Sequence, residues 1–273
     1  TSDEKAYDRK QLVEERRRVL RGLVGKDRLD AWWENQIKHL PSRYLLTEPA
    51  ELIRSELERL RQVPEGQAAA WARYIEDRKV TVYTVGTSDR TTPGIFHKLT
   101  GTLSAKGLQI LSAEISTLAD ELVLDRFYVN DADHDGEPPA ERIERVCTAL
   151  VDSLTTGAEK PPTFRRLWKT GTKSPASSFS ELPTRIRFDN TTSERFTIIT
   201  IFNYDRMGVL YSIARTLFDL GLVVHFAKIG TYLDQVVDVF YVTGKNGRKV
   251  HQDERQLEIR RRLTDALEPE GNA

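Results

Sequence analysis

The sequence predicts an α+β chain: helices first, then two copies of one unit written strand, helix, strand, strand, helix, strand. Three observations predict it. Apolar residues recur at helical spacing as far as residue 76 and alternate from Val80 onward. The stretch "VTVYTVGTSDRTTPGIFHKLTGTLSAKGLQILSAEISTLADELVLDRFYV" lies over "FTIITIFNYDRMGVLYSIARTLFDLGLVVHFAKIGTYLDQVVDVFYV" as an internal repeat. The overlay breaks only where turns are expected, with an offset of 116 at Asp89 and Asp205, 114 at Gly94 and Gly208, and 113 at Asp125 and Asp238.

Residues 1–76 read as helices that lead toward parts of a longer protein. Their apolar positions are Leu12, Val13, Val19, Leu20, Leu23 and Val24, then "RLDAWWENQIKHL", then Leu52, Ile53, Leu57 and Leu60. Thr47 is placed to cap the last helix, Pro49 suits its first turn, and Pro41 and Pro64 interrupt the pattern on either side. These helices are too polar to form a large core alone. They are expected to lean on the remainder through Trp32, Trp33 and Tyr44.

The first unit is placed at 77–192. Its first helix shows Ile95, Phe96, Leu99 and Leu103 and closes at Gly107; its second is "AERIERVCTALVDSL". A linker over about 160–182, rich in Gly, Ser and Pro, then leads to "LPTRIRFDN", expected as this unit's late fourth strand. The second unit, 193–273, has Val209, Leu210, Ile213, Leu217 and Phe218 on its first helix, Gly221 as C-cap, and "DERQLEIRRRLTDAL" as its second helix. Its fourth strand is missing or borrowed. The element order is that of a ferredoxin-like unit.

Composition narrows function. At 39% hydrophobic and 30% charged the 273-residue chain is of the globular class, and 41 basic against 41 acidic residues leave no net field for a polyanion or an acidic membrane. No apolar run approaches the roughly 18 to 20 residues of a membrane span, and the polar start "TSDEKAYDRK" is unlike a signal peptide, so a cytoplasmic location is expected. A first residue of Thr fits a piece of a longer chain and equally the removal of an initiator. Cys147 is the single cysteine, which excludes an internal disulfide and reads as a small apolar helix residue.

Several motifs reduce to ordinary structure. "DADHDGEPPAER" begins like a calcium loop, but its twelfth place, which needs a bidentate carboxylate, holds Arg142. A solvated turn is the better reading. The five histidines, at 39, 97, 134, 225 and 251, form no metal-site or hydrolase pattern, and neither phosphate-binding glycine motif is present. The Arg16–Arg18 and Arg260–Arg262 runs read as solvated helix faces, not nucleic-acid contacts. No catalytic residue and no metal ligand is expected in this chain.

The repeated Asp-Arg loops carry the functional signal. A tight turn from a buried strand into a helix presents free backbone N–H groups at the positive helix end, which suits a small carboxylate. Glycine lets the ligand approach the backbone, and a neighbouring Asp can accept an ammonium group. Together these describe a free amino acid. On the residues alone the pattern fits equally well two Asp helix caps followed by turn glycines.

The two loops, the "AKIGT" strand and the paired "DRFYV" and "DVFYV" strands resemble an ACT domain pair, specifically the C-terminal pair of the bifunctional protein-PII uridylyltransferase and uridylyl-removing enzyme family. "LPSRYLL" resembles the stretch preceding that pair, so the resemblance spans nearly the whole chain. It implies a glutamine-sensing regulatory region that controls uridylylation and deuridylylation of PII proteins. The UTP and divalent metal such as Mg of the parent enzyme would be used outside this segment, which holds no cofactor of its own. Carried over by position, the ligand-lining residues are Asp205, Arg206, Met207, Gly208, Ala227, Ile229 and Thr231 in the second unit. In the first they are Asp89, Arg90, Gly94, Ala113, Ile115 and Thr117. The resemblance further implies two sheets side by side with ligand at their interface, and homo-oligomerisation through the sheets. Two departures stand out: the first loop is longer by two residues, "RTTPG", and Met207 replaces the proline usual before the glycine.

Two other classes share this element order. An RNA-binding ferredoxin-like module would need glycines on its third strand that "LVLDRFYVN" and "VVDVFYVTG" lack. An oligomerisation module would use the loops only as caps.

Overall fold

A computed structural model describes residues 2–88, 90–156, 183–204, 208–232 and 235–268. Four helices come first: α1 (Ser2–Val24), α2 (Ala31–His39), α3 (Ser42–Thr47) and α4 (Ala50–Arg61). The first unit follows as β1 (Ala69–Ile75), β2 (Val80–Ser88), α5 (Ile95–Ala105), β3 (Leu108–Thr117), β4 (Leu122–Asp131) and α6 (Ala140–Thr155). The second is β5 (Arg185–Asp189), β6 (Thr197–Tyr204), α7 (Val209–Asp219), β7 (Leu222–Lys228), β8 (Thr231–Tyr232), β9 (Gln235–Gly244) and α8 (Asp253–Leu267). None of the described helices is long and apolar enough to cross a membrane.

All strands belong to one antiparallel sheet in the order β1-β2-β4-β3-β7-β9-β6-β5, with the short β8 on β9. Each half has the 4-1-3-2 strand arrangement of a ferredoxin-like unit, but its fourth strand enters from the N-terminal side. This corrects two expectations. The chain is not helical throughout 1–76, because residues 69–75 form β1 and pair with β2. The strand at 185–189 does not close the first unit; it pairs with β6 from Arg185↔Phe202 to Asp189↔Ile198 and closes the second. The 4-position beside β2 is already filled by β1, so β5 has its free partner in the second unit. The Gly/Ser/Pro-rich linker expected at about 160–182 lies outside the described residues.

Alternation assigns the sheet faces. Tyr83, Val85, Phe127 and Val129 point into a core built with α5 and α6, and Ile199, Ile201, Phe240 and Val242 into its continuation with α7 and α8. On α6, Val146, Leu150 and Leu154 recur every four residues and supply the buried stripe. On the opposite face of the first unit, Leu124, Leu118 and Trp71 meet the helical layer through Ile53, Leu57 and Leu60 of α4. Trp33 and Tyr44 anchor that layer at 3% and 1% exposure, and Trp32 lies edge-on to Trp33 at 5.3 Å. Thr47 does not cap α4: it is the last residue of α3, its hydroxyl donates to the Arg43 carbonyl at 2.9 Å, and Pro49 precedes α4 as its cap.

The calcium-like turn is held by the residue that breaks the motif. Arg142, on α6, binds Asp131 at 2.9 Å and the Lys106 carbonyl at 2.7 Å, so a fixed cation stands where a metal loop would need a carboxylate.

Candidate functional site

The two units join where β3 meets β7. The seam is short: Ser112↔Lys228, Ala113↔Ala227 and Glu114↔Phe226, extended by the Ile229 N–H donating to the Leu111 carbonyl at 2.9 Å. Both strands carry a bulge at the same repeat position, between Ile110 and Ser112 and between Val224 and Phe226. A bulge releases backbone groups from the regular ladder; at Leu111 the freed carbonyl is the one that crosses the seam. Above the seam α5 rests on α7, with the His97 ring 4.9 Å from Phe218 and 6.1 Å from Tyr211, and Arg215 at 3.4 Å from His97.

Antiparallel pairing sends the two helix starts, at Gly94 and Gly208, to opposite ends of this seam. In the first loop Asp89 lies outside the described residues. Arg90 is exposed and paired with Glu121, a residue held at φ 56 in the turn before β4. Thr87 bridges to the Gln67 carbonyl and to Thr91, both at 2.9 Å, and Lys98 donates to Thr92 at 2.5 Å. The added residues of the longer loop are thus tied to its flanks. Gly94 sits at φ 73 as N-cap of α5, and a Cβ there would lie 2.0 Å from the His97 ring. Glycine is required on both counts.

In the second loop Asp205, Arg206 and Met207 lie outside the described residues. Gly208 is buried, at φ 84, and caps α7 as Gly94 caps α5. The N-cap residue of each helix is a glycine, which has no side chain to offer the first-turn N–H groups.

The facing strand positions divide into two kinds. Ala113 and Ala227 are fully buried and directly paired, forming the middle of the seam floor beneath α5 and α7. Ile115 and Ile229 are half-buried against the same core, Thr117 is exposed at the end of β3, and Thr231 opens β8. The structure therefore brings Ala113, Ala227 and Ile229 together at the seam, places Ile115 and Thr117 further along β3 opposite β4 and Thr231 opposite β9, and sets each loop glycine at a helix start.

Two buried carboxylates were matched in the repeat but not nominated as site residues. Asp125 and Asp238 are each 1% exposed. Asp125 is flanked by Val85 and Ile115 and Asp238 by Ile201, in the apolar helix-facing rows that lead to the loops. A carboxylate in such a row is costly without compensation, and its recurrence in both copies was the signal that could have singled it out.

A third arrangement ties the helical layer to the sheet. Arg126 of β4 is 0% exposed and faces Glu114 at 3.2 Å, Glu48 at 3.4 Å and Glu56 at 3.6 Å, with its guanidinium 4.1 Å above the Tyr44 ring. Tyr44 donates to Glu56 at 2.5 Å, Tyr128 to Glu48 at 3.1 Å, and Arg73 reaches Glu48 at 3.1 Å. Burial first, then the Glu56 charge, holds the Tyr44 phenol well above its ordinary range; Tyr128 is raised mainly by burial. Neither tyrosine ionises near neutrality, so both remain donors. Cys147 is half-buried and burial pushes its thiol up to about 11, which fits a packing residue rather than a nucleophile. Among the described residues no cluster of His, Cys, Asp or Glu is set to hold a metal ion.

Comparison with known proteins agrees with this architecture. The family described as "ACR9-like, ACT-like domain" matches residues 185–269, a span that begins with β5 and so assigns that strand to the second unit. The chain is 31% identical over 257 residues to a protein named bifunctional uridylyltransferase/uridylyl-removing enzyme from Novosphingobium aromaticivorans, covering 94% of this chain and 26% of the relative. Its counterpart from Erythrobacter litoralis is 29% identical, with 95% of this chain and 28% of the relative covered. The one from Azospirillum brasilense is 34% identical over 70% of this chain and 20% of the relative. The chain thus spans about a quarter of the length of these relatives.

Proposed function

The chain belongs to the family of bifunctional uridylyltransferase/uridylyl-removing enzymes, and we propose that it is the C-terminal regulatory region of such a protein, sensing L-glutamine. The observation that carries this reading is the pair of left-handed glycines, Gly94 and Gly208, each starting a helix at one end of the seam between the units. A helix start whose N-cap residue is glycine lets a ligand approach the first-turn N–H groups closely, which suits an amino-acid carboxylate. The acidic loop residues, Asp89 and Asp205, supply the counterpart for its ammonium group. Arg90, Arg206 and Met207 complete the loops, Ile115, Thr117, Ile229 and Thr231 the facing wall, and Ala113 with Ala227 the floor.

Binding at such a place regulates only if one relative arrangement of the two units, or of the helical layer upon them, holds the ligand better than another. The output in the parent protein is the balance between uridylylation and deuridylylation of PII. UTP and the divalent metal act in the parts of the parent beyond this segment, and the segment itself performs no catalysis.

Calorimetric titration of the chain with glutamine, with glutamate and serine as controls, tests the reading. Saturable heat with glutamine and none with the controls is expected. No heat with any of the three at millimolar concentration would overturn it.

A further inference from the structure

We propose that Arg43 is the positioning residue through which the helical layer reads the relation between the two units, and so couples the amino-acid site to α3 and α4. The inference rests on the sensing function proposed above and adds its route of transmission. Three placements lead to it.

The seam is the narrow part of the sheet. β3 pairs with β4 along nearly its whole length, but with β7 through only three residue pairs, of which Glu114↔Phe226 is the last. Relative motion of the units therefore concentrates at these residues. The helical layer, in contrast, is fixed to the first unit by the buried Arg126 network, whose carboxylates come from the α3–α4 connection (Glu48), from α4 (Glu56) and from β3 (Glu114). Charges closely packed away from water hold their geometry tightly, because separating them leaves a buried charge uncompensated.

Arg43 spans the boundary between these two regimes. It stands on α3 next to Tyr44, which packs beneath Arg126. Its guanidinium lies 4.0 Å from the centroid of the Phe226 ring on β7, and its Nε is 3.4 Å from Glu114 Oε1 on β3. The other oxygen of the same carboxylate binds Arg126. A shift of β7 against β3 moves Phe226 relative to Glu114, and Arg43 cannot keep both contacts without moving α3. A planar guanidinium serves this role better than an ammonium, since it stacks on the ring while donating from its edge.

The test follows hydrogen exchange of α3 and α4 amides with and without glutamine, together with calorimetric binding, for the native chain, Arg43→Gln and Arg43→Lys. The Arg43 side chain is 55% exposed, so neither change threatens folding, and equal thermal unfolding midpoints verify this. In the native chain glutamine is expected to change α3–α4 exchange by about fivefold or more, the lower end of ordinary coupling. Arg43→Gln should still bind glutamine and alter exchange at residues 111–115 and 226–229, yet lose the α3–α4 response; Arg43→Lys should restore part of it. A full α3–α4 response in Arg43→Gln would overturn the role of Arg43. Absence of glutamine heat in the native chain would instead remove the sensing function beneath it, so the two failures are told apart by the same titration.

Discussion

The two units repeat one sequence pattern and one strand order, yet their outer sheet faces have diverged. In the first unit that face is closed by helices: Leu124 and Arg126 are 0% exposed and Tyr128 is 7%. The corresponding Val237, Val239 and Tyr241 of the second unit are half-buried at most. Gly86 occupies the place that Phe202 takes in the second copy, and Trp71 the place of Arg187. The first set admits a helix at close range and stores a cation beneath it. The second carries an aromatic ring with Arg185 and Arg187 at 5.5 and 5.2 Å from its centroid, a surface finished with guanidinium groups. A duplicated fold has thus kept its helix-facing core and seam while committing one outer face to the helical layer.

The largest expected effect comes from exchanging that commitment. A Cβ at Gly86 would lie 2.9 Å from Leu60 Cδ1 of α4 and 3.4 Å from the Trp71 ring. Gly86→Phe should therefore push α4 from the sheet and expose the Arg126 network, lowering stability by about 3 kcal/mol or more. The reciprocal Phe202→Ala, on the open face, should cost only about 1 kcal/mol. Urea midpoints of both variants measure the difference; equal losses would mean that the two faces are not distinct in packing.

How much of this asymmetry was legible follows from what periodicity encodes. The repeat, both loop glycines and the apolar faces of α5 and α7 were readable because they depend on residue type and spacing along the chain. The strand "AAWARYI" was read as part of the helical segment: it sets apolar residues on both faces, Ala70 and Ala72 toward the core and Trp71 toward the helical layer, so no apolar/polar alternation marks it, and its alanines favour helices. The pairing of β5 was misassigned because local pattern fixes that a segment is a strand, not which sheet edge it joins. Glu48, Glu56 and Arg126 were unremarkable in sequence, since burying them depends on the fit of α3 and α4 over β4. For the site, the two loop glycines were legible from the repeat, and so was the match of Asp125 with Asp238, but the burial of those two carboxylates depends on which sheet face they occupy.

The loops offer a second comparison. Both glycines have positive φ, 73 at Gly94 and 84 at Gly208, so alanine at either is strained by about 1 kcal/mol or more. Gly94→Ala meets the additional obstacle of the His97 ring, and displacing it would loosen α5 from α7. Gly94→Ala should cost about 2 kcal/mol and Gly208→Ala about 1 kcal/mol, read from thermal or urea unfolding. A larger loss at Gly208 would place the tighter constraint in the shorter loop.

The smallest effect sharpens the contrast between the two bulges. Leu111 in the first copy is replaced by His225 in the second, where the ring is half-buried against Phe196 at 4.8 Å and its Nε2 is 3.0 Å from the Thr243 hydroxyl. Burial, followed by the nearby Arg195 charge, pulls His225 below its ordinary value of 6.5. The unfolded chain therefore binds the proton more tightly than the native one between these two values. Stability from this residue is fully present above pH 6.5 and declines as pH falls through the lower native value. His225→Gln keeps a polar partner for Thr243 but cannot titrate, so its unfolding midpoint should fall less than that of the native chain between pH 7.5 and pH 5, roughly the interval in which histidine charges. The difference should be smaller than either glycine effect, because only one partly buried ring contributes. Parallel pH profiles for the two proteins would show that protonation of this ring is not resisted by the fold and that the two bulges differ in packing alone.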